Sequence, residues 1–480
     1  MKKILLASAL LLGVSFTSCN SYLDINTDPN SPAEENVETS MLMPAIEMNT
    51  ASSYGNFLRI AGGFHAQQYA HLFGTSNYLD YSKFNMSATR SSGTYTQFNQ
   101  KALQNLKTLL IKSAEQEDWG TYLAGTVLRA FVYEALVDCY GEVPYTEALD
   151  LENFPTPKYD EGQVVYEGVI AEINEALEKV SASNIVCTNF LFPSSTADKW
   201  IKFANALKLR MLMRISGVKD VQSEVAALLA ENNFPTTDVS YKGCWKNEPG
   251  QMNPFYSEEF ATTWGSTQTN IAANLAIIGT MQVKNSEGAV EYEDPRLAAF
   301  FQKNKSNEYI GGISGTNYPK STSKLQDWCR PVATFDMPVY LITVSEVEFF
   351  KAEYYARYGS AADAATHYAA AIEASFASAN VSGAADYVAR YPFEAWCEMR
   401  RLDYPTFGTA KGSDFYTEGD QESYNTSKYV PGTLYTPIQV FGEVGANKLL
   451  ERYPYAESSS SRNENTPAFP GYTSPVFWGK

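Results

Sequence analysis

The chain is expected to adopt a mainly α fold, built from packed helix pairs and interrupted by long irregular loops with minor β-hairpins. Three features of the sequence point to it. Apolar residues recur at helical spacing in two blocks, one helix pair carries a fixed pattern of small and aromatic residues, and two long stretches are rich in Gly, Asn, Ser, Thr and Pro.

The first element is not part of the folded body. Lys2 and Lys3 form a basic start, Ile4 to Phe16 an apolar run, and Thr17-Ser18 a small pair before Cys19, the pattern of a secretion signal. A run of thirteen residues is too short for a bilayer span, which needs ~20. Residues 1–18 are therefore expected to be removed, leaving Cys19 as the first residue and the point of lipid attachment. Two or more acyl chains there would anchor the protein stably, since each buried CH₂ contributes about 0.8 kcal/mol. Residues 19–40 are then a polar tether. Within it Asp24, Asn26, Asp28, Asn30 and Glu35 have the spacing of a calcium loop. Pro29 stands where the sharp turn of such a loop needs Gly, so an Asx-turn and no metal is expected.

Residues 41–480 read as one domain. Its first helical block spans about 99–231. Leu103, Leu106 and Leu110 share a face over 99–117, and Trp119, Leu123, Val127, Phe131 and Val137 recur over 119–140, where Gly141 and Pro144 stop the run. Val165, Val169, Ile173 and Leu177 mark a helix over 164–180. Trp200, Phe203, Leu207, Met211 and Ile215 mark another over 196–216, with Ser195 and Asp198 as its cap and Gly217 at its end. Each is amphipathic and needs a neighbour.

The second block spans about 343–405. Ser345 and Glu348 read as a capping box for a helix to Tyr358, Gly359 breaks it, and Ser360 with Asp363 caps a helix to about 379. Ala352, Tyr355, Ala364, Tyr368 and Ala371 lie at offsets 0, 3, 12, 16 and 19. These are the small and aromatic positions of a tetratricopeptide unit, although its usual Trp and Pro are missing. One unit cannot bury its own apolar face, so several pairs should stack.

The stretches 232–340 and 408–480 carry aromatics among polar residues instead of at helical spacing. Loops of that length in a compact domain are usually functional, and a ligand-binding region is expected there.

Composition excludes some functions. Removing Lys2 and Lys3 takes the net charge from −17 to −19, which argues against nucleic acid as a partner. Beyond the signal no apolar run approaches membrane length. Cys139, Cys187, Cys244, Cys329 and Cys397 lack metal spacing and are read mostly as buried free thiols. The only histidines are His65, His71 and His367, and no H-E-x-x-H, G-x-S-x-G or phosphate loop occurs. No catalytic residue, metal or cofactor is expected.

Ordered segments along the chain resemble the SusD/RagB-type outer-membrane lipoproteins. They begin with Cys19-Asn-Ser-Tyr-Leu-Asp-Ile-Asn-Thr-Asp-Pro-Asn30 and continue with Leu128-Arg-Ala, Tyr140-Gly-Glu-Val-Pro-Tyr145 and Trp200-Ile-Lys-Phe-Ala-Asn-Ala-Leu-Lys-Leu-Arg210. Glu346-Val-Glu-Phe-Phe-Lys-Ala-Glu353, Trp396 with Arg400-Arg401, and Arg452-Tyr-Pro-Tyr455 follow in family order. The resemblance implies a right-handed helical fold with tetratricopeptide-like units, exposure at the outer-membrane surface, and a SusC-like TonB-dependent transporter as partner. It also implies a nutrient ligand, an oligosaccharide or less commonly a peptide.

A sugar ring offers a C–H face to an aromatic plane and hydroxyls to Asn, Gln, Asp and Arg. The candidate ligand residues are accordingly Trp245 with Asn247, Tyr256, Trp264 with Gln268, Asn317 with Tyr318, Trp328 with Arg330, and Tyr78 with Tyr81 in an earlier loop. The alternative for each aromatic is to pin a loop to the helical body. Two other functions stay open at this point: a surface glycoside hydrolase, and a repeat scaffold that binds only protein.

Overall fold

The computed structural model describes residues 37–72, 77–193, 196–261, 270–315, 328–395, 407–417 and 424–479. Cys19, the signal segment and the calcium-like spacing lie outside them, as do Ser195, Trp264, Gln268, Asn317, Tyr318, Cys397 and the Trp396/Arg400-Arg401 motif.

The fold is mainly α. Its centre is the helix Trp119–Tyr140, buried on nearly every face, as a helix apolar all round must be. Asp118 caps it by accepting the Thr121 N–H at 3.1 Å, and Gly141, at φ 85°, ends it. The helices Gln104–Glu115, Gly162–Lys179 and Asp198–Ile215 pack against it. The central helix and the last two lie within two residues of the boundaries that periodicity predicts, whereas Gln104–Glu115 begins five residues after the predicted start at 99, because residues 97–103 form a π-helical turn.

The second block forms the expected hairpin, Val344–Tyr358 and Ala361–Ser378. Ala352, Ala364 and Ala371 are fully buried where the helices cross, and Tyr368 fills the gap beside them. Ser360 caps the second helix through the Asp363 N–H. The first cap differs from expectation. Thr343, two residues earlier than Ser345, accepts the Glu346 N–H at 3.1 Å, while the Ser345 hydroxyl donates to the Ala371 carbonyl and ties the two helices together. Ser345 therefore already lies inside the helix, where a short hydroxyl side chain turns to a neighbouring carbonyl. Glu348 accepts from Lys351 at 2.7 Å and meets His367 at 2.6 Å.

Two helical runs escape the sequence reading, the second except for its last residues, 99–103. Residues 39–65 form Thr39–Ser52, a π-helical turn Ser53–Leu58, and Arg59–His65. Residues 88–103 form Ala88–Thr96 and a second π-helical turn, Gln97–Leu103. Pro44, Gly55, Gly62 and Gly63 obscure the first run, and a π turn shifts the apolar stripe out of 3.6-residue phase.

The strands are short and pair in twos among the described residues. Tyr69–His71 runs antiparallel to Ile271–Ala273, Val239–Tyr241 to Val339–Ile342, Gln282–Lys284 to Val290–Glu293, and Phe301–Gln302 to Arg330–Pro331. Phe407–Lys411 runs parallel to Leu434–Thr436. One large apolar core joins the helices, and a smaller one, with Leu275, Ile313, Phe415 and Tyr435, underlies the C-terminal segments.

The C-terminal residues strap this body. The buried Arg452 donates to the carbonyls of Ser474 (3.0 Å) and Pro475 (3.1 Å) and pairs with Glu142 at 3.2 Å. Trp478 Nε1 donates to Asp138 on the central helix at 2.9 Å. Cys139, Cys187, Cys244 and Cys329 are free thiols.

Candidate ligand-binding surface

The ladder between Tyr69–His71 and Ile271–Ala273 is the frame on which several predicted residues converge. Asn274 at its end is fully buried. It donates to the Tyr69 carbonyl (3.2 Å) and the Ser314 hydroxyl (2.8 Å), and accepts from the Tyr435 hydroxyl (2.9 Å) and the Ala276 N–H (3.0 Å). One amide thus locks the ladder, the 312–315 turn and the C-terminal region together, with its polar atoms satisfied as burial demands.

Tyr78 is half-buried on this frame, its ring tilted against Phe64 at 5.5 Å and its hydroxyl donated to Glu259. Burial and the neighbouring Glu259 carboxylate both push the Tyr78 hydroxyl pKa far up, so it remains a donor. Glu259, itself buried, also accepts the Asn270 N–H at 3.0 Å. Tyr256 enters through a short turn. Asn253 accepts from the N–H groups of Phe255 (2.9 Å) and Tyr256 (3.1 Å), with Pro254 at the first helical position, an arrangement that suits both residues. The half-buried Tyr256 ring then stacks on Phe260, centroids 5.8 Å apart and planes at 7°.

Trp328 and Arg330 hang on the same frame from its other side, since the Cys329 carbonyl accepts the Ala273 N–H at 2.8 Å. Trp328 packs against Gly312, where a Cβ would sit 2.5 Å from the indole. Both are half-buried, and burial lowers the Arg330 pKa. Tyr81 is different: its ring is buried, with the Arg90 guanidinium at 5.3 Å over it. Trp245 is also buried, at 8% exposure, and its indole N–H donates to the Tyr241 carbonyl at 3.1 Å. It follows the Val239–Tyr241 strand, and Asn247 is exposed two residues further on. Tyr78, Tyr256, Trp328 and Arg330 therefore share the frame. Tyr81 and Trp245 face inward, as loop-pinning aromatics do.

Glu259, Asn270 and Asn274 are positioning residues that sequence reasoning missed. Asn253-Pro254 is a visible helix-start signal, but the Tyr78 to Glu259 pairing spans 181 residues and leaves no local trace. Of the histidines, His71 is buried in its strand, while His65 and His367 are half-buried. Desolvation lowers the His65 pKa to about 4, and His367 stacks on Tyr355 at 5.2 Å. Among the described residues no group of three or more His, Cys, Asp or Glu could hold a metal. No helix among them is long and apolar enough to cross a membrane.

A second feature lies beside the frame. A cavity of about 790 Å³ opens between the Arg59–His65 helix, the Val339–Ile342 strand and the end of the Ala361–Ser378 helix. Tyr54, Leu58, Phe300, Val332, Met337 and Val339 are among the residues that line it. Arg59 is the one charged side chain among the described residues that line it.

Comparison with known proteins places this geometry. The SusD-like family model described as starch-binding associating with outer membrane matches residues 29–392. A SusD homologue from Bacteroides uniformis superposes with a TM-score of 0.67 at 20% identity, covering 92% of this chain and 99% of its own. A chitin-binding SusD homologue from Flavobacterium johnsoniae gives 0.67 at 18% identity, covering 91% and 98%. A SusD homologue from Bacteroides thetaiotaomicron gives 0.64 at 18%, covering 92% and 99%. No match is found among curated protein sequences.

Proposed function

The chain belongs to the SusD-like family, and from that premise we propose that it is a non-catalytic outer-membrane lipoprotein that binds a nutrient oligosaccharide and delivers it to a SusC-like TonB-dependent transporter. The observation that carries this reading is the convergence of Tyr78, Tyr256, Trp328 and Arg330 on one buried frame within a chain matched by a starch-binding family model. Half-exposed aromatic planes beside a guanidinium suit a sugar, whose C–H face stacks while its hydroxyls find charged and amide partners. The frame is rigid because Asn274 and Glu259 are buried and fully engaged, so little ordering cost opposes binding.

The chitin-binding relative and the starch-binding family description support a glycan over a peptide. Trp264, Gln268, Asn317 and Tyr318 remain proposed ligand contacts, and Cys19 the proposed lipid anchor. In this reading the polar segment 19–40 lets the body swing over its transporter without leaving it. Affinity purification from detergent-solubilised outer membrane tests the partnership. A TonB-dependent porin should co-purify in comparable amount, and a preparation without one would overturn the delivery role.

A further inference from the structure

The cavity beside the ladder holds a cation that no carboxylate among the described residues neutralises. Arg59 is half-buried. Its Cζ lies 4.2 Å from the centre of the Phe255 ring, its Nε is 3.4 Å from the Tyr69 hydroxyl, and its Nη1 is 4.0 Å from the Met337 sulfur. No carboxylate among the described residues pairs with it. A guanidinium carries five N–H donors in a fixed fork, and these contacts occupy one edge and one face. Burying a charge against apolar walls without a counter-ion is unfavourable. The cation–π contact returns only part of that, and it fixes the plane of the fork.

From this geometry we propose that the cavity is a binding site for a small monocarboxylic acid with an apolar chain or ring, its carboxylate on Arg59 and its hydrocarbon against Leu58, Val332, Met337 and Val339. The site is separate from the oligosaccharide reading and does not rest on it. The size falls within the ~300–1,000 Å³ of ordinary ligand pockets, which are likewise mostly apolar with a few placed polar groups. The fork matches a carboxylate bidentately, and one positive charge calls for one negative charge. An oligosaccharide fits the same walls poorly, because its hydroxyls would be desolvated against aliphatic side chains without partners. Ser378 on the rim already gives its hydroxyl to Asp238 at 2.7 Å. Phe300 and Tyr340, both exposed, stand at the mouth.

Titration calorimetry with octanoate, and with octan-1-ol as its uncharged counterpart, tests the site on the mature chain carrying Cys19→Ala. Octanoate should bind with one-to-one stoichiometry and more tightly than octan-1-ol. Arg59→Met should weaken octanoate by about tenfold or more, as the loss of a charge-assisted pair implies, and leave octan-1-ol unchanged. Gly62→Leu supplies a variant that keeps the fold. Gly62 is helical and lines the cavity, and a Cβ there meets nothing within 4 Å, so the longer side chain should block octanoate while the melting transition stays cooperative. Absence of octanoate binding to the unmodified site, equal affinity for octanoate and octan-1-ol, or an unchanged octanoate affinity in Arg59→Met would each overturn the proposal.

Discussion

Arg210 faces Glu134 with both arms of its guanidinium, Nε at 3.0 Å from one carboxylate oxygen and Nη2 on the other, with both side chains buried. Its remaining arm donates to the Leu341 carbonyl at 2.9 Å, and Arg214 reaches the same carboxylate at 3.0 Å. The pair thereby joins the central helix, the Asp198–Ile215 helix and the strand that walls the cavity. Desolvation makes such a pair a poor source of net stability, but losing one partner strands the other charge. Glu134→Ala or Arg210→Met should each destabilise the fold by about 3–5 kcal/mol in urea unfolding. Glu134→Leu combined with Arg210→Met should cost less than the larger single loss.

Glu47 gives the fold a pH signature. It is fully buried in the N-terminal helix and accepts the N–H groups of Phe190 and Leu191, yet burial pushes its carboxyl up to about 7. The native state therefore holds this proton at pH values where the unfolded chain, near 4.5, releases it. The resulting penalty is absent below about pH 4.5, grows as pH rises, and is complete above about 7. Comparing unfolding free energies at pH 5 and pH 8, Glu47→Gln should gain on the native protein with rising pH, by a difference approaching about 3 kcal/mol. A pH-independent difference would contradict a buried, titrating Glu47.

Gly141 couples the end of the central helix to the C-terminal strap. Its φ of 85° disfavours an L side chain, and a Cβ there would lie 2.7 Å from the Arg452 guanidinium. Gly141→Ala should destabilise the protein by at least about 1–2 kcal/mol. Amide exchange should rise in residues 449–479 before it rises in the Trp119–Tyr140 helix.

The helical body was legible because its signals are local. Trp119 to Val137, or Ala352 to Ala371, announce burial by spacing alone, and Gly141, Gly359 and Ser360 mark where helices begin and end. Residues 39–65 were not legible, since Pro44 and the π-helical turn break the period although the packing restores the helix. The candidate surface was half legible. Residue type picks out Tyr78, Tyr256, Trp328 and Arg330, but exposure depends on long-range contacts. The same chemistry that nominated Trp245 and Tyr81 let them pack into the core; for Trp245 the pairing of Val239 with Ile342 lies outside any local window. Arg59 carried no sequence signal, as a missing counter-ion is visible only in three dimensions.

The proposed anchor separates cleanly from the proposed site. Cys19→Ala should move the protein from the membrane pellet to the soluble fraction while its oligosaccharide affinity stays within about twofold of the lipidated form. Retention in the membrane pellet would contradict lipid attachment at Cys19.

Oligosaccharide binding by the aromatic frame is the central claim, and calorimetric titration of the mature chain with a panel of malto- and chito-oligosaccharides tests it most directly. At least one member should bind the native chain, and Tyr256→Ala with Trp328→Ala, still showing a cooperative melt, should bind it at least about tenfold more weakly, the loss expected when stacked rings are removed. A panel in which nothing binds, or a folded variant that binds as the native chain does, would contradict it.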